Sequence, residues 1–174
     1  TLERAKQIAW KNEIFPRLME LLEWELKMWG RVFPNYLSYK SDTGISKELN
    51  DALLLYTNQV QYAGLFQIIN NRVRNQGSSS RDEKEPEYFR NFLEHPLLKN
   101  EKNALTGFSR LNYHYCHALV NRIFLSDREK GLYHFRQLAE ITGTLALDDN
   151  ASAYGHIESL RNYANALMEL GKYA

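Results

Sequence analysis

The run Tyr113-His114-Tyr115-Cys116-His117 gathers the side chains of this chain best suited to chemistry. His114 and His117 stand three apart, so on a helix they share a face and could supply two ligands to a metal ion. No third ligand is evident. The Glu-x-x-His tetrapeptide that di-iron carboxylate bundles need occurs nowhere in the sequence. The pair therefore reads as helix residues half-buried beside tyrosines, and no metal site is expected. Cys116 is the only cysteine, which rules out an internal disulfide and a two-cysteine zinc site and favours a reducing compartment.

Acid–base catalysis needs carboxylates or histidines held in a pocket that shifts their proton affinity. Glu20, Glu23 and Glu25 crowd one stretch, but a Glu-rich helix face is ordinarily solvated. There is no Gly-rich phosphate loop, no G-x-S-x-G elbow and no H-E-x-x-H, so neither an enzyme nor a cofactor is expected. Arg72 and Arg74 sit near a predicted helix end, where cations complement the macrodipole. Asn150-Ala151-Ser152 fits the glycosylation triplet, but capping explains Asn150 equally well.

A more pointed constellation is a cation followed four residues later by asparagine, present twice: His117 with Asn121, and Arg161 with Asn165. Residues four apart share a helical face. The charge balance, 22 basic against 21 acidic residues for a net +1, predicts no long-range pull toward nucleic acid or anionic membrane. At 44% apolar and 25% charged, the composition is that of a globular domain. No apolar run approaches the roughly 20 residues of a membrane span. The chain begins at Thr1 and reads as a soluble, cytoplasmic piece of a longer protein.

The elements that must position these residues are helices. Only 4 prolines and 9 glycines punctuate the chain, and apolar residues recur at helical rather than strand spacing. The first helix carries Leu2, Ala5, Ile8 and Ala9. A second starts at Phe15-Pro16, lines up Phe15, Leu18, Leu22, Leu26 and Trp29, and is stopped by Gly30 and Pro34. A long helix from Ser46 to Asn75 is predicted to bury Leu49, Leu53, Tyr56, Val60 and Phe66 to Ile69, with a bend near Gly64. Residues 77–84 read as a mobile linker. Pro86 opens a short helix with Tyr88, Phe89, Phe92 and Leu93, which the His95-Pro96 pair ends. Asn100 is predicted to cap a helix running to about Leu125. A turn at Ser126-Asp127 then leads to a helix stopped by Gly143, and Asp149 or Asn150 caps the last one.

In that last helix Leu160, Tyr163, Ala164 and Leu167 reproduce the first-helix spacing of a tetratricopeptide repeat, and Gly171 with Tyr173 looks like the turn that follows it. A shift of 44 residues lays "YHYCHALVNRIF" on "IESLRNYANALM", placing Cys116 on Leu160, Leu119 on Tyr163, Val120 on Ala164 and Phe124 on Met168. Gly131-x3-Phe135 resembles the family's small-x3-Phe signature. The C-terminal two-fifths of the chain thus resembles a divergent tetratricopeptide-like repeat. Departures are the long period, the missing leading Trp and Val120 at a position usually small.

The resemblance implies an all-α fold, one helical-repeat domain over residues 1–174, with antiparallel helix pairs stacked in a right-handed superhelix. It implies a non-enzymatic interaction scaffold whose groove takes a peptide or partner domain. The positions it places in that groove are Tyr113, His117, Asn121, Glu158, Arg161, Asn165 and Met168. There, Arg or His with Asn would hold a peptide's carboxylate or backbone. The chain stops where a second helix would begin, and the exposed terminal repeat would let two copies pair. The alternative is a regulatory or sensor domain with a small ligand between helices.

Overall fold

The computed structural model describes residues 1–32, 44–76, 85–145 and 150–172. The described residues are all helical apart from turns: α1 (Leu2–Lys11), α2 (Phe15–Val32), α3 (Ser46–Gln76), α4 (Glu85–Leu93), α5 (Gly107–Leu119), α6 (Arg128–Leu145) and α7 (Asn150–Glu169). The expected linker at 77–84, the stop at Pro34, and the side chains of Trp29, Asp149, Asn150 and Tyr173 lie outside the described residues. The chain divides into two compact units, Thr1–Val60 and Gln61–Ala174, with α3 contributing to each.

In the first unit, α1 and α2 form a hairpin whose turn holds Glu13 at φ 54°. Phe15, Leu18 and Leu22 recur at helical spacing along α2 and are buried with Ala9 and Ala52. Trp10 meets Phe15 edge-on at 5.8 Å. Each such buried side chain contributes about 1.5–3 kcal/mol relative to exposure. Lys6 is buried among acids: its Nζ lies 2.8 Å from Glu25 and 2.9 Å from Glu48. Burial alone would lower its pKa, but hydrogen bonds from the ammonium to both carboxylates outweigh it and hold the group above its ordinary value.

The second unit is built on Tyr62, Leu65 and Ile69 of α3, Phe89 of α4, and Cys116, Val120 and Phe124 around α5. Phe89 stacks on Phe124 at 3.8 Å. Tyr62 donates to the Leu97 carbonyl at 2.5 Å, and burial pushes its phenol up to about 12. A second cluster, Ala118, Phe135, Leu138 and Ala166, fills the space shared by α5, α6 and α7. Side-chain pairs set the helix directions. Gly131 and His134 of α6 meet residues of α5 in reverse order, Thr142 meets His156, and Tyr115 meets Ser159. The three helices therefore alternate in direction.

At Gly131, α6 passes close to the end of α5. A Cβ there would stand 3.1 Å from Arg122 Cβ and 3.4 Å from the Ala118 carbonyl oxygen. Phe135, one turn on, is 1% exposed.

Several expectations are corrected. Asn100 caps only a 3-10 turn, Glu101–Asn103; α5 starts at Gly107 because Thr106 Oγ1 accepts from the Ser109 amide and restarts the chain. Gly143 does not stop α6. It lies within the helix, where a Cβ would meet the His156 ring at 3.2 Å. Along α3 the stripe is rotated: Ala52, Tyr62, Leu65 and Ile69 are buried, while Leu53 and Val60 are 50% and 52% exposed. Leu53-Leu54-Leu55 makes α3 apolar around much of its circumference, so periodicity alone does not choose a face. Arg72 serves an ion pair, 2.7 Å from the buried Glu85, beyond any role at the helix end.

The burial pattern also departs from the 44-residue correspondence. Cys116, Val120 and Phe124 are buried, whereas their counterparts Leu160, Ala164 and Met168 are exposed. Leu119 and Tyr163 both face the α5–α6–α7 core.

Candidate functional site

Thr106 and Ser109 fix the start of α5, which leaves Arg110 on the helix's first turns beside the 3-10 turn carrying Glu101 and Lys102. Between them lies an open pocket of about 570 Å³, lined by Asn100, Glu101, Lys102, Ala104, Leu105 and Arg110. Leu105 is 50% exposed, and Phe108, nearby in sequence, is 47% exposed. Lys102 and Arg110 form no side-chain ion pair among the described residues. Their charge is available to an incoming anion.

One wall of this pocket leads inward. Glu101 Oε1 stands 3.4 Å from Nε2 of His114, outside hydrogen-bond geometry, and that Nε2 has no hydrogen-bond partner among the described residues. His114 is 1% exposed, and its other nitrogen, Nδ1, lies 2.9 Å from Nδ1 of His134 on α6. His117, one turn along α5, stacks on His134 with ring centroids 4.7 Å apart. Its Nε2 donates to the Leu98 carbonyl at 2.9 Å. Tyr113 packs against all three rings, and Tyr133 meets His134 edge-on.

Burial lowers the pKa of each histidine. For His114 the nearby Glu101 carboxylate works against that shift, and for His117 the Leu98 carbonyl does. His134, buried beside two other imidazoles and with no acid acting on it among the described residues, is pulled down to about 3. All three rings are therefore neutral at pH 7. Burial, with Glu101 adding to it, raises the Tyr113 phenol, and burial pushes Cys116 up to about 12, leaving it an unreactive thiol.

No family, no curated protein and no solved structure matches this chain. The site must be read from its own geometry.

Of the sequence-predicted site residues, Tyr113 and His117 belong to the histidine cluster, and Asn121 is buried just beyond it. Asn121 donates from Nδ2 to the His117 carbonyl at 2.8 Å, at a π-helical turn spanning Val120–Phe124 that ends α5. Such a turn loosens the regular backbone pairing, and the amide side chain gives that carbonyl a partner. Glu158, Arg161, Asn165 and Met168 lie apart on α7, where Arg161 is paired with Glu158 at 2.5 Å and Met168 is 57% exposed.

Sequence reasoning missed Glu101, Lys102, Arg110 and His134. His134 was within reach: once Gly131 is set against Ala118 and Arg122, an antiparallel hairpin brings residue 134 opposite 114–117. His117 Nε2 is engaged by the Leu98 carbonyl, while His114 Nε2 faces Glu101. Among the described residues, no three His, Cys, Asp or Glu side chains are grouped to hold a metal ion. Nor is any described helix long and apolar enough to cross a membrane.

Proposed function

We propose that this chain is a non-enzymatic interaction module and that its pocket at the head of α5 takes a short acidic peptide segment of a protein partner. The observation that carries the reading is the pair of cations, Lys102 and Arg110, that form no ion pair among the described residues, at an open pocket flanked by exposed Leu105. A carboxylate placed between two cations gains charge-assisted hydrogen bonds, and Arg offers a bidentate fork. The Asn100 side chain is already committed to the Lys102 amide, so it shapes the turn rather than the ligand.

The α7 strip is the weaker competitor. Glu158 is ion-paired with Arg161, whereas neither Lys102 nor Arg110 forms a salt bridge among the described residues, Glu101 being the acid that shares their pocket. A small-ligand sensor calls for an enclosed, mostly apolar cavity; the open, charged lining favours a peptide. The alternating directions of α5, α6 and α7, with Gly131 at the close approach, support the finer proposal of helix pairs stacked as in tetratricopeptide-like superhelices. The exposed Leu160, Ala164 and Met168 weigh against an exact copy of the preceding pair.

Fluorescence anisotropy with labelled peptides alternating Glu and Leu tests the reading. Binding is expected to weaken about tenfold in Lys102→Ala/Arg110→Ala, about 1.4 kcal/mol, and to fall with added salt. Equal binding by the double variant, or a preference for peptides alternating Lys and Leu, would remove the proposal.

A further inference from the structure

The His114–His134 contact does more than fill space, because its two facing nitrogens can share only one proton. With both rings neutral, one Nδ1 donates and the other accepts across 2.9 Å. A first added proton can be accommodated: His114 becomes cationic beside Glu101 and still donates through Nδ1, while His134 keeps its own proton on Nε2. A second proton cannot be. Two Nδ1–H groups would then face each other, and two cations would meet with His117 stacked beside them.

Among the described residues the surroundings offer one counter-charge. Glu101 approaches from the 3-10 turn; Arg110, Tyr113 and His117 face the pair from α5; Tyr133 faces it from α6. The acid among these lies against His114, and no described acid lies against His134.

We propose that the Glu101–His114–His134 contact is an acid-operated latch: it fastens α6 to α5 while the pair holds at most one extra proton, and it opens when the second arrives. This goes beyond peptide recognition and holds whether or not the pocket binds one. The sign follows from burial. A histidine held below its ordinary 6.5 binds fewer protons folded than unfolded. Its contribution to stability is complete above pH 6.5 and is lost as the pH falls toward about 3, the value for His134.

The test uses the full chain and needs no ligand. Ring nitrogen NMR of histidine-labelled protein, from pH 8 downward, reports tautomers directly. One of His114 and His134 is expected to carry its proton on Nδ1 and the other on Nε2, with His134 titrating well below His114. The α5 and α6 amides are expected to shift together with His134. Urea unfolding of His134→Gln supplies the second readout, since glutamine keeps a hydrogen-bonding group but never charges. Below pH 6.5 its unfolding constant is expected to rise about tenfold less per pH unit than that of the parent chain. An unchanged acid slope in His134→Gln, or a His134 ring titrating near 6.5 without movement of α5 and α6, overturns the latch. If His134→Gln does not fold, the ring titration of the parent chain decides alone.

Discussion

Lys6→Met puts the electrostatics of the first unit to a quantitative test. Methionine fills much of the volume of the lysine stem but removes the charge that sits 2.8 Å from Glu25 and 2.9 Å from Glu48. The two acids are only 14% and 26% exposed. Because both reach one nitrogen, their nearest oxygens are within about 6 Å of each other, a repulsion of about 2–3 kcal/mol at an effective dielectric near 20. Removing one partner from a buried pair typically costs about 3–5 kcal/mol. Partial exposure of Glu48 lowers the expectation to about 2–4 kcal/mol at pH 7.

The sign in pH is fixed. Lys6 is held above its ordinary 10.5, so its contribution is complete below that pH and is lost only as the pH rises through the folded value. Urea unfolding at pH 7 measures the loss. Adding Glu48→Gln to the variant is expected to recover part of the loss, although Trp10 Nε1 then gives up a charged acceptor at 2.8 Å. A loss under about 1 kcal/mol at pH 7 would refute this account of the Lys6 cluster.

Three further predictions concern the backbone. Gly64→Ala is expected to gain about 0.5–1 kcal/mol from helix propensity, because nothing stands within 4 Å of the new Cβ. In Gly131→Ala the same gain is overtaken by the 3.1 Å contact with Arg122 Cβ, giving a net loss of about 1 kcal/mol; thermal denaturation of the pair separates the two effects. Ser126→Gly is expected to stabilise by about 1 kcal/mol, since Ser126 holds φ 56° in the turn before α6; a lower melting temperature would contradict the strain argument.

The helical class of the chain was fixed by its own pattern: scarce Gly and Pro, and apolar residues at a 3.6-residue spacing along α1, α2, α4 and α6. Local chemistry was equally legible. Asp127 caps α6 through the Lys130 amide, and Gly171 at φ 64° closes α7 with the Gly171 and Lys172 amides returning to Met168 and Leu167. Such features involve neighbours in sequence, so propensity and short-range hydrogen bonds decide them. Which face of α3 is buried, and why Gly143 is small, depended instead on partners from other helices. The pocket and the histidine cluster belong to the same class: Glu101, Lys102, Arg110, His114 and His134 acquire their roles only when the α5–α6 crossing brings them together. One-dimensional spacing records which residues share a helix face; only tertiary packing decides what that face meets, and so which imidazoles lose water and stay neutral.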